Sequence, residues 1–154
     1  QLPYADKSPV KLFILAGHRN MEGERAFTQN ISANPKLKKL LQDQNQIPFR
    51  YQLGGGYFAS NNWEALGPTG YYETFGPELS FAAALKKSKA NLAIAKFTHS
   101  GSQIVDWTPG GSEAKSRNLY PQFIQFIRDS ISDLEAKGHP VELQGIFYHV
   151  GENW

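Results

Sequence analysis

The sequence predicts one α/β domain over residues 1–154, built on a parallel sheet covered by helices on both faces. Three observations predict it. Residues 11–17 (KLFILAG) and 91–97 (NLAIAKF) are almost continuously apolar, as strands buried on both faces are, and residues 141–149 (VELQGIFYH) read as a third strand. Segments with helical spacing lie between them. Each run ends in a small or polar turn: Gly17-His18-Arg19-Asn20, His99-Ser100-Gly101-Ser102 and Gly151-Glu152-Asn153-Trp154. Ligands of open α/β sheets bind beyond the carboxyl ends of the strands, so these turns are expected to meet at one site.

Residues 1–10 are a Pro-punctuated lead-in to the first strand. Residues 36–45 carry leucines at 37, 40 and 41, a helical spacing, and the cluster Lys36, Lys38 and Lys39 reads as its solvated face. Residues 53–76, rich in Gly, Tyr and Asn, read as one long loop, and long ordered loops are usually functional. Its Tyr57, Trp63, Tyr71 and Tyr72 suit either sugar stacking or packing within the loop. Gly76-Pro77-Glu78 opens a helix, with proline in the first turn and a carboxylate beside it. Residues 107–118 form a second, Gly/Ser-rich loop. Residues 120–137 place apolar side chains at 120, 123, 124, 127, 131 and 134, close to a 3.6 period, and Gly138 stops that helix.

Charge and composition narrow the function. Sixteen basic and 14 acidic residues leave a net charge of +2, too little for a nucleic-acid or anionic-membrane surface. No apolar run approaches the roughly 20 residues that span a bilayer. Cysteine is absent, which excludes disulfides and thiolate metal sites. The first residue is Gln1, which suits a mature terminus left by a signal peptidase and a secreted or periplasmic protein.

Five blocks in register carry a family resemblance over residues 11–154. LFILAGHRNMEG resembles a strand followed by G-Q-S-N-M-x-G. Gly76-Pro77-Glu78-Leu79-Ser80-Phe81 resembles G-P-E-x-x-F. Ala95-Lys96-Phe97 with Ser100-Gly101-Ser102 resembles K-x-A-x-G-G-T-x, and Asp106-Trp107 the D-W pair after it. The stretch from Gly145 to Glu152 resembles G-x-x-W-x-Q-G-E. The pattern is that of the sialate O-acetylesterase-like carbohydrate esterases of the SGNH-hydrolase superfamily. The resemblance implies a three-layer α/β/α sandwich with a flavodoxin-like parallel sheet, here without its final strand and helix. It implies no cofactor, and a serine that attacks an acetyl ester on a carbohydrate. A His from a later D-x-x-H serves as base, and backbone N–H groups hold the oxyanion.

Carried over residue by residue, that site has substitutions at its centre. Arg19 stands at the nucleophile position, His18 replaces the Gln before it, Val150 replaces the Gln before Gly151-Glu152, and no D-x-x-H occurs. The catalytic positions are thus Arg19, Gly76 for the oxyanion N–H, and Glu152 at the rim. His18, Asn20, Gly101, Ser102, Asp106 and Trp107 are the substrate-binding candidates. Three functions remain open: an acetylesterase domain that is partial or inactive, a glycan- or anion-binding module using Arg19, and a structural protein that self-associates through an exposed sheet edge. For Asp106 and Trp107 the alternative to sugar binding is a loop anchor. For Glu152 it is a structural carboxylate, and for Arg19 a surface ion pair. His18, His99 and His149 all follow or end strands and are candidate metal ligands, but their spacing carries no metal signature; independent hydrogen-bonded histidines are the simpler reading.

Overall fold

The computed structural model describes residues 2–17, 47–53, 58–60, 63–65, 91–99, 102, 104–110 and 118–149. Six strands, one α-helix and a short 3-10 helix are found there: β1 (Val10–Gly17), β2 (Pro48–Leu53), β3 (Phe58–Ala59), β4 (Glu64–Ala65), β5 (Leu92–Thr98), the 3-10 helix (Ile104–Trp107), α1 (Leu119–Ala136) and β6 (Val141–His149). The sheet runs β3-β2-β5-β1-β6, with β4 also on β2. Its four long strands β2, β5, β1 and β6 are mutually parallel, and the two short ones pair antiparallel to β2. The α/β class with a parallel sheet, of flavodoxin-like SGNH type, is therefore present. The predicted helices at 36–45 and after Gly76 lie outside the described residues.

The two central strands are apolar because both their faces are inside. Every residue of β5 is buried, and β1 is buried at six of its eight positions. On one face Leu12, Ile14, Ala16, Ala93, Ala95 and Phe97 pack beneath α1. On the other, Leu15 and Ile94 join Ile47, Phe49, Tyr51 and Leu53.

β2 is an addition to the sequence reading, which assigned it no element. Its apolar residues alternate with Arg50 and Gln52, a period of two rather than a continuous run. Arg50 is accommodated on the α1 face, its guanidinium 5.2 Å from the centre of the Phe126 ring. Pro48 stands at the first position of the strand, where a missing N–H is tolerated. The stretch read as one long loop from residue 53 is also corrected: β3 and β4 within it return to hydrogen-bond β2.

α1 buries one stripe, Leu119, Phe123, Phe126, Ile127, Ser130 and Leu134, at steps of three and four. Ser130 satisfies its hydroxyl within the helix, donating to the Phe126 carbonyl at 2.7 Å. Pro121 falls in the first turn, whose N–H groups lack intrahelical partners anyway. The helix stops at Gly138, as the sequence predicts. Gly138 takes φ 89°, and the Gly138 and His139 amides donate to Glu135 and Leu134, which closes a Schellman turn.

That turn delivers His139 to the amino end of the sheet, where the lead-in is tied down. Tyr4 Oη donates to the Leu92 carbonyl at 2.6 Å and accepts from the Leu92 amide at 3.1 Å. Asn91 Nδ2 donates to Ser8 Oγ and to the Pro9 carbonyl. His139 Nδ1 lies 2.9 Å from the Ser8 carbonyl, which can only accept, so this nitrogen carries the proton.

β6 carries one irregularity. Leu12 pairs with Leu143 and Phe13 with Gly145, leaving Gln144 without a partner on β1. Beyond it Ile146 pairs with Ile14 and Tyr148 with Ala16, so both lie on the α1 face, as does Leu143.

Candidate functional site at the carboxyl rim

Parallel pairing decides where the three turns begin. Gly17 is in register with Thr98 on one side and with His149 on the other. The carboxyl ends of β1, β5 and β6 therefore form one row, fastened by the His99 amide, which donates to the Gly17 carbonyl at 3.1 Å. Residues 18–20, 100–102 and 150–152 each follow directly from that row in the sequence.

After β5 the chain turns sharply at Ser102. The Ser102 amide and hydroxyl both donate to the His99 carbonyl, at 3.3 and 2.7 Å. The same hydroxyl oxygen accepts from Trp107 Nε1 at 3.0 Å, which anchors the 3-10 helix against the end of β5. Trp107 sits in an aromatic cluster, with ring centres 5.6 Å from Phe97, 5.6 Å from Phe123 and 5.2 Å from Tyr148, each roughly edge-on. Its indole is buried.

Asp106 is buried at only 3% exposure, beside this cluster. Its charge reaches Tyr148 at the end of β6. Partial burial, and secondarily the Asp106 carboxylate, push the Tyr148 hydroxyl well above the ordinary tyrosine value. The Asp106 carboxylate on the 3-10 helix thus acts on a phenol of β6, and Trp107 packs against both Phe97 of β5 and Tyr148 of β6.

Residues 9–153 match the family described as carbohydrate esterase, sialic acid-specific acetylesterase. The chain belongs to that family. The solved structure of a protein from Arabidopsis thaliana shares its fold, with a TM-score of 0.56 at 20% identity. That similarity covers 94% of this chain and 58% of the Arabidopsis chain, so the present chain spans well under two-thirds of its structural relative. No curated protein matches it.

In this esterase-family domain the described rim holds Ser102, Asp106 and Trp107 from the substrate-binding candidates, together with His99. Arg19, Gly76, Glu152, His18, Asn20 and Gly101 lie outside the described residues, as does the side chain of His149. Among the described residues no three His, Asp or Glu side chains gather as metal ligands. Two residues of the rim were present in the quoted blocks without being assigned a role. Tyr148, at the Trp position of the last block, makes the link between β6 and Trp107. Lys96 is fully buried two residues before the end of β5, on the face opposite α1 and in register with Tyr51 and Leu15. A lysine inside an otherwise apolar strand was the available signal, because buried ammonium groups demand a reason.

Proposed function

We propose that the carboxyl rim is the acetyl-ester site of a carbohydrate esterase domain, and that the 154-residue chain does not turn over esters as it stands. The observation that carries the reading is the row formed by Gly17, Thr98 and His149, from which the family's motif-bearing segments depart. O-acetylated carbohydrate is the substrate class that the family suggests.

The inactivity follows from chemistry at position 19. Attack on an acetyl carbonyl needs a lone pair, and a guanidinium stays protonated throughout the physiological range. Losing the nucleophile costs about a millionfold in rate in a serine hydrolase. The sequence also contains no D-x-x-H to supply the base. The purified chain is expected to hydrolyse p-nitrophenyl acetate no faster than background, and Arg19→Ser alone is expected not to restore turnover. Saturable hydrolysis that copurifies with the protein would refute the reading.

A second reading rests on the same arginine. A guanidinium two residues after β1 in the sequence suits a carboxylate or phosphate, so the rim would bind an acidic glycan or small anion without cleaving it. Isothermal titration with sialic acid, acetylated xylan fragments and phosphate distinguishes the two. Flat heats with all of them remove the binding module.

A further inference from the structure

A groove lies between β2 and α1, lined by Gln52, Pro121, Gln122, Gln125, Phe126 and Asp129. Its volume is about 350 Å³, within the roughly 300–1,000 Å³ of small-molecule sites. The groove starts at the level of the rim. Gln52 is in register with Phe97, one residue before Thr98. α1 runs antiparallel to the strands, with Phe123 against Phe97 and Trp107 and its other end leading into β6. Pro121 and Gln122 therefore stand at the rim end, and Asp129 lies about 12 Å farther along the helix axis. A site of that length suits an extended ligand.

The lining is amide rather than ionic. Residues 119–127, the first half of α1, carry no charge, although the outer face of a surface helix usually does. Gln122, Gln125 and Asp129 recur at steps of three and four, so they form one stripe facing Gln52 across the groove. Each amide offers donors and an acceptor together, the combination that sugar hydroxyls match. Gln125 Nε2 donates to Asp129 Oδ1 at 2.7 Å, which fixes the orientation of that amide. Phe126 is buried and forms the floor. Arg50, two residues before Gln52, lies against that floor with its guanidinium 5.2 Å from the ring centre. The lining itself holds one carboxylate and no cation, so an anionic ligand would meet a like charge there.

We infer that this groove binds the neighbouring, unreacted units of a neutral acetylated polysaccharide whose ester group sits at the rim. The placement of the ester rests on the acetyl-ester reading of the rim; the groove's own ligand is bare sugar. The substrate is then an extended glycan of neutral sugars, held on one side of the ester by Gln52, Gln122 and Gln125, and a free sialic acid is disfavoured.

Isothermal titration of the 154-residue chain with xylohexaose, acetylated xylan fragments and sialic acid tests this, beside a variant that combines Gln122→Ala with Gln125→Ala. Xylohexaose is expected to bind the parent, and to bind the double variant about tenfold more weakly, as the loss of two neutral hydrogen bonds implies. Backbone amide resonances of the parent are expected to shift at Gln52 and along residues 121–129 when xylohexaose is added. Flat heats with xylohexaose would overturn the inference, as would equal affinity in the double variant or shifts confined to other residues. Sialic acid binding at the same residues as tightly as xylohexaose would overturn it too. The rim reading is scored separately, by whether acetylation changes the affinity of the xylan fragments. An acetyl effect without dependence on Gln122 and Gln125 removes the groove and leaves the rim. Groove binding without an acetyl effect keeps the groove as a glycan site and removes the rim.

Discussion

β5 and β6 flank the same strand, run in the same direction and match it residue for residue at their carboxyl ends. Yet β5 is buried at every position, whereas β6 leaves four large apolar side chains about half uncovered. The difference is one of neighbours. β5 has a strand on each side and α1 above it; β6 has β1 on one side. The apolar run in each sequence records a demand for cover, and only in β5 do the described residues meet it.

The sharpest way to test that contrast is a matched pair of truncations. Phe97→Ala removes a ring that meets Trp107, Phe123 and Phe126, and is expected to cost about 3–5 kcal/mol in urea unfolding. Phe147→Ala in the 154-residue chain is expected to cost about half of the ~1.5–3 kcal/mol that full burial of such a side chain is worth. Equal losses would mean that β6 is covered after all.

Ser102→Ala tests the turn that joins the β5 side to the β6 side. It leaves the buried Trp107 Nε1 donor without its acceptor, an expected loss of about 1–3 kcal/mol. A shift in Trp fluorescence should accompany it.

Alkaline titration compares the two ends of the sheet. Burial raises both Tyr4, at the amino end, and Tyr148, at the rim, above the ordinary value of 10.0. Above pH 10 the unfolded chain releases protons that the folded chain keeps, so this stabilisation is whole below pH 10 and lost as pH rises. The urea midpoint is expected to fall from pH 9 to pH 11, less steeply in Tyr4→Phe and in Tyr148→Phe than in the parent. An unchanged slope in both variants would refute the assignment.

The smallest expected effect is at Gly138, remote from both strands' carboxyl ends. A Cβ there meets no atom within 4 Å, so Gly138→Ala costs only the left-handed backbone, about 1 kcal/mol.

How much of this was legible depended on how continuous each hydrophobic signal was. β1 and β5 announced themselves by continuous apolar runs, α1 by its helical spacing and β6 by its apolar residues ahead of a polar turn, and their bounds were read to within a residue or two. β2 did not, because Arg50 and Gln52 interrupt it and Arg50 owes its place to a ring 76 residues away (Phe126), a contact no local pattern encodes. β3 and β4 have two residues each, too few for any period to register. The alignment of the carboxyl ends of β1, β5 and β6 was legible from strand type alone, since parallel strands share an end. The contacts of Trp107 were not, because a Trp after an Asp carries no local sign of the three rings it meets.

The unpaired residue Gln144 has an effect out of proportion to its size. It switches the phase of everything that follows in β6, so that Tyr148 rather than Phe147 swings toward the indole of Trp107. Were Gln144 to pair with Phe13 in an unbroken ladder, every later residue of β6 would pair one position on, setting Phe147 rather than Tyr148 opposite Ala16 and leaving Asp106 a bare benzyl ring in place of the hydroxyl it now influences.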